Sequence, residues 1–195
     1  MPGIDDMGIV NDTQGICGFT STLYAVYMSR PNLQRKLDRA LDASMRDTRM
    51  MAEIKTFLVM MKAAGNQTVL DEIAELTKTF PGYGAWSVDW YIGEINKLAV
   101  GNFSIAMPPD ATMEYMRTAW DLRPTLVTSE QPGDAILGLT RTGAPVNRWN
   151  NLAHFVFRSA AGKIYSWGEQ FDDLAACNTA KGKDYSVVYR IMVHG

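Results

Sequence analysis

Apolar positions recur at helical spacing through the first two-thirds of the chain and change to short, strand-like runs in the last third. From Cys17 to about Met28, the residues Phe19, Leu23, Val26 and Tyr27 follow helical spacing, and Arg30-Pro31 ends the segment. From Asn32 to about Arg46, Leu33, Leu37, Ala40 and Leu41 oppose a strongly charged face. A second long run, "TRMMAEIKTFLVMMKAAG", opens at Asp47 or Thr48 and closes at Gly65, read as a C′ glycine. Thr68 with Asp71 has the look of a capping box for "VLDEIAELTKTF", which stops before Pro81-Gly82. Further helices are expected over Ser87 to Leu98 and over Asp110 to Trp120. Met50, Met51, Met60 and Met61 read as filling for the core side of the long helix rather than as a binding groove.

The pattern changes at "EQPGDAILGLTR". Pro132-Gly133 signals a turn, and Ala135 to Thr140 is short and apolar, as a strand is. "LAHFVFRS" and "KIYSW" flank "AAG" as the arms of a β-hairpin, and "YSVVYRIMVHG" supplies a final strand. Helices followed by an antiparallel sheet predict an α+β fold. At 195 residues with no linker, one domain over 1–195 is expected, with a helical lobe over 32–120 and a β core over 131–195.

Composition narrows the classes. A hydrophobic fraction of 47% supports an ordinary core, and a net charge of −2 argues against nucleic acid or an anionic membrane as partner. No apolar run reaches membrane-spanning length, and "MPGIDDMG" lacks a signal-peptide pattern, reading instead as a domain boundary. Two cysteines, Cys17 and Cys177, do not make a disulfide framework, so reduced thiols are expected. The other possible ligands do not cluster, and neither a metal nor a cofactor is expected.

Cys17 stands at the start of a helix, where free N–H groups and the helix dipole stabilise a thiolate. A neighbouring imidazole would complete an ion pair. His194 is penultimate and poorly placed for this, whereas His154 opens the hairpin, a rigid mount for a base. On these residues alone a second reading stands equal: a compact buried thiol, and a histidine satisfied at a sheet edge.

Three stretches extend the picture. "ICGFTSTLYAVY" resembles the nucleophile helix of the papain-like cysteine peptidase superfamily, in particular its NlpC-type peptidases and CHAP-type amidases. "QPGDAILGL" is similar to the turn and first core strand of those families, and "HFVFRSAAGKIYSW" to their histidine hairpin. The resemblance covers the helix at Cys17 and residues 131–167; the stretch from Asn32 to Trp120 has no counterpart in it and reads as a family-specific lobe. It implies a papain-like core in which Cys17 is the nucleophile and His154 the base. The residue orienting the imidazole would come from the returning strand: Ser166, with Glu169 as fallback. "YSWG" is similar to papain's Asn-Ser-Trp-Gly, with Tyr165 where the asparagine would be. The oxyanion donor beside the Cys17 N–H would be Asn11 or Gln14, although both residue types also bond local backbone readily.

The resemblance, with an acidic chain and no signal peptide, implies a bacterial effector or toxin domain delivered into a target cell by a dedicated secretion system, and otherwise cytoplasmic. Cleavage of a protein target is the leading reading. Cleavage of peptidoglycan peptides comes second, and deamidation or transglutaminase-like acyl transfer third. A papain-like binding module without catalysis is the rival from another class. A toxin also implies a cognate immunity protein as partner.

Overall fold

In a computed structural model of the chain, residues 15–30, 32, 46–80, 87–94 and 105–194 are described. Among the described residues, five helices precede the first strand: α1 (Cys17–Ser29), α2 (Arg46–Ala63), α3 (Gln67–Lys78), α4 (Val88–Glu94) and α5 (Pro109–Trp120). The strands are β1 (Arg123–Val127), β2 (Ala135–Thr140), β3 (His154–Arg158), β4 (Ile164–Ser166), β5 (Glu169–Phe171) and β6 (Ser186–His194), with helix α6 (Leu174–Lys181) between β5 and β6. The architecture is α+β, and among the described residues no helix is long and apolar enough to cross a membrane.

Helix α1 is buried on every side from Cys17 to Tyr27. Such a helix carries no polar stripe and sits at the centre of its layer. One side lies on β3 and β2, and the other meets α2 and α5. There the Phe19 ring stands edge-on to Phe57 and Tyr115, with centroids 5.9 and 4.7 Å away. Gly18 admits the close approach: a Cβ there would come within 3.0 Å of Met107 Cε and 3.2 Å of Thr112 Oγ1. The α2 helix ends at Ala63, and Gly65 takes φ +70, where glycine is unstrained.

The sheet is antiparallel throughout, in the order β1-β6-β2-β3-β4-β5. The C-terminal strand is thus inserted between the first two, joining the end of the chain to the middle of the sheet. Both faces of its centre are covered, which explains why β2 reads as an unbroken apolar run. Ile136, Phe155, Phe157, Tyr165 and Ile191 pack toward the helices. Ala135, Leu137, Leu139, Val156 and Ile164 form a second cluster on the far face with Cys177 of α6.

Several sequence expectations need correction. The cap of α3 is Asn66, whose Oδ1 accepts from the Val69 N–H at 3.4 Å, and Thr68 lies inside the helix. Met50, Met51 and Met61 are buried, but Met60 is exposed, one position round the helix from Met61. Strand β1 precedes the expected start of the β core at 131; its Pro124 and mostly exposed edge position hide it in the sequence. Strand β5 and helix α6 were not expected. The charged run after Asn32 and the end of the run to Leu98 lie outside the described residues.

Gly138 marks a register shift between β2 and β6. An added Cβ would meet Tyr189 Cβ at 2.9 Å, and Leu152 Cδ1 and Phe155 Cε1 at 3.1 Å each. With backbone-near atoms on one side, the neighbours cannot all give way. Gly138→Ala is expected to destabilise the fold by about 1–3 kcal/mol, the usual cost of overpacking. Urea unfolding checks this, and an unchanged midpoint would mean that the bulge relaxes freely.

Candidate active site

Cys17 is the first residue of α1, after Ile16 at the N-cap with no capping side chain. The helix therefore presents uncapped N–H groups around the sulfur. The backbone N–H groups of Phe155, Cys17 and Gly18 all favour the thiolate, but burial outweighs them and pushes the thiol up to about 11. Cys17 is only 9% exposed.

His154 opens β3 and pairs with Leu139 of β2. Cross-strand partners share a face, so the imidazole belongs with Leu139 on the far face of the sheet, at its rim. There His154 Nε2 lies 2.8 Å from Ser166 Oγ. The Trp167 ring stacks on the imidazole at 4.2 Å and 12°, and the Tyr185 ring lies 5.7 Å away. Enclosed this way, the ring is pushed down to about 3 by loss of hydration. Burial therefore favours the neutral form of both groups, against the expected thiolate–imidazolium pair. In the tautomer where Nε2–H donates to Ser166, the ring's lone pair is on Nδ1.

Alternation along β4 decides which residue reaches the imidazole. Tyr165 points to the helical face, against Tyr24 and Phe157, so the neighbouring Ser166 faces His154. Trp167 and Gly168 form the two-residue turn into β5 with φ of 53 and 72. A left-handed conformation is uncommon for a bulky side chain, and here it turns the indole onto the imidazole. Nothing in the sequence beyond the "YSWG" similarity marks that role.

Glu169 does not orient the imidazole. Its carboxylate pairs with Lys181 of α6 at 3.0 Å. That ammonium in turn lies 5.4 Å from the Trp167 ring centroid. Cys177 is buried in the far-face cluster, and Asn11 and Gln14 lie outside the described residues. His194 is exposed at the end of β6.

Cys17 and His154 line one small cavity of about 10 Å³. Leu76 and Phe80 from the α3 side, Met107, and Leu152 from the β2–β3 loop complete its walls. The loop is knit by Asn147, which accepts from the N–H groups of Trp149 and Leu152 and donates to the Leu152 carbonyl. It is tied to α3 by Arg148, whose Nε lies 3.1 Å from both Glu75 oxygens and whose Nη2 lies 3.0 Å from Glu72. These pairs are half-exposed, so they are modest and screened by salt. Arg148→Ala is expected to speed alkylation of Cys17 by iodoacetamide by about two- to fivefold, the worth of one exposed ion pair or somewhat more. An unchanged rate, with the fold intact, would show that α3 and the loop stay closed without Arg148.

Comparison with known protein families, curated proteins and solved structures finds no match for the chain.

Proposed function

We propose that the chain is a papain-like cysteine hydrolase that cleaves amide bonds of a protein target, acting as a bacterial effector delivered into another cell. One observation carries this reading. A cysteine at an uncapped helix N-terminus shares a cavity with a histidine whose Nε2 is held by Ser166 and whose face is held by Trp167. In this reading the imidazole, whose Nδ1 is not the atom at Ser166, takes the thiol proton as the sulfur attacks a carbonyl. The imidazolium then returns the proton to the leaving amine, and water releases the acyl group. Peptidoglycan peptides remain the second substrate class and glutamine side chains the third, since the same pair serves all of them.

A second reading, a papain-like binding module with an inert thiol, draws on a specific observation as well: the cavity at Cys17 has room for little more than a water. Expression of wild type and Cys17→Ala in the bacterial cytoplasm and, with an added signal peptide, in the periplasm separates the two. Toxicity of wild type alone supports the hydrolase, and the compartment identifies the substrate class. Equal effects of both proteins would sink it. For a toxin, the product of the neighbouring reading frame is expected to bind as an immunity protein, checked by pull-down.

A further inference from the structure

The far face of the sheet holds a larger cavity, of about 710 Å³, at the end of β3 remote from His154. Its size falls within the range of small-molecule sites, roughly 300–1,000 Å³. Leu137, Ile164 and Val187 give it an apolar floor. Arg190 stands among them in the middle of β6, with Val127 and Leu137 as its cross-strand partners. Among the described residues this guanidinium makes no ion pair or hydrogen bond.

Buried donors without partners also stand in the wall of this cavity. Ser159 lines the cavity, is 4% exposed, and its Oγ has no hydrogen-bond partner. Arg158 Nε is also buried without a partner, although its Nη1 pairs with Glu130 and its Nη2 donates to the Gln131 and Gly133 carbonyls. The N-terminal end of α6 borders the cavity too. Its Asp173 side chain accepts from the Ala176 N–H, which leaves the first-turn N–H groups of Leu174 and Ala175 directed outward at the positive end of the helix. Both carboxylates on the rim, Glu130 and Asp173, are thus already engaged. The result is an unpaired guanidinium beside free helix N–H groups, above an apolar floor.

We propose that this cavity binds a small organic anion, its carboxylate or phosphate group on Arg190 beside the α6 N-terminus, and its apolar body on Leu137, Ile164 and Val187. The planar fork of arginine suits either oxyanion. This site is separate from the Cys17 cavity and stands whether or not the chain is a hydrolase.

Calorimetric titration at constant ionic strength tests it with four probes: hexanoate, phenyl phosphate, inorganic phosphate and hexylammonium. The expected result is saturable 1:1 binding of hexanoate or phenyl phosphate, weaker binding of inorganic phosphate, and none of hexylammonium. Which organic anion binds more tightly separates a carboxylate ligand from a phosphate. Arg190→Met is expected to weaken binding by about tenfold or more, the worth of a charge-assisted hydrogen bond. Arg190→Lys, which keeps the charge and should fold in any case, is expected to weaken it less. No saturable binding of either organic anion up to about 10 mM, a Kd worth under 3 kcal/mol, would overturn the proposal and leave ordered water as the partner of these donors. Equal affinity in both Arg190 variants, or equal binding of hexylammonium, would overturn it as well.

Discussion

Cys17→Ala and His154→Ala are each expected to reduce hydrolysis of a responsive amide substrate to background, with the double variant little worse than either. Attack and proton transfer belong to one step, so removing either partner removes the step, and the losses do not add. Ser166→Ala should cost far less. Its hydroxyl holds the ring through one neutral hydrogen bond, worth about 0.5–1.5 kcal/mol, while Trp167 still holds the face of the imidazole. Glu169→Gln should cost less still, because its carboxylate engages Lys181. Cys177→Ala should loosen the far-face core without touching kinetics, since that thiol packs among Ala135, Leu137 and Leu139. The pH dependence gives a further check. With the thiol neutral up to about 11 and the imidazole neutral down to about 3, kcat/KM should show no inflection between the ordinary positions of these groups, 6.5 and 9.0. A bell with arms near those positions would mean that the dyad is hydrated in the active form. Full activity in Cys17→Ala would end the hydrolase reading.

Much of this fold was legible because its elements announce themselves locally. The β2 run after Pro-Gly-Asp and the β3–β4 hairpin around "AAG" combine turn chemistry with β-branched and aromatic residues, and both lie where those signals put them. What escaped depends on long-range pairing or on very short elements. Strand β1 is held by β6 from the far end of the chain, a partnership that no local pattern records. Helix α6 carries a start and a stop signal, Asp173 as N-cap and Gly182 at φ 58, but eight residues are too few to display a period. At the site, the resemblance of the returning strand put Ser166 forward, and alternation along that strand agrees with it. The charge state was not readable. It follows from enclosure by Trp167, Tyr185 and the β2–β3 loop, and enclosure is a property of the assembled layers.

That enclosure makes the second large effect one of stability. His154 is buried, more so than Trp167 and Tyr185 beside it, and holds its proton affinity far below the ordinary value, at about 3 against 6.5, because burial penalises the charged ring. In the unfolded chain the ring is hydrated and takes a proton at its ordinary value. As pH falls below 6.5, the unfolded state therefore gains a proton that the native state refuses. Stability from this group is complete above 6.5, declines as pH drops, and is exhausted near 3. Once the unfolded ring is protonated, the slope approaches about 1.4 kcal/mol per pH unit, so the fold should lose a few kcal/mol before the carboxylates begin to titrate. Asp172 and Asp184, whose partners Lys163 and Thr142 hold their carboxyls below the usual range, add their losses only at lower pH. Urea unfolding of wild type and His154→Phe at intervals from pH 7.5 to 4.5 isolates the effect. Wild type should hold level down to about pH 6.5 and weaken steadily below it. The variant, which replaces the ring with one that cannot be protonated and can still stack on Trp167, should stay nearly level. Parallel slopes in the two proteins would mean that the imidazole charges freely in the native state and that the cavity beside Cys17 admits water.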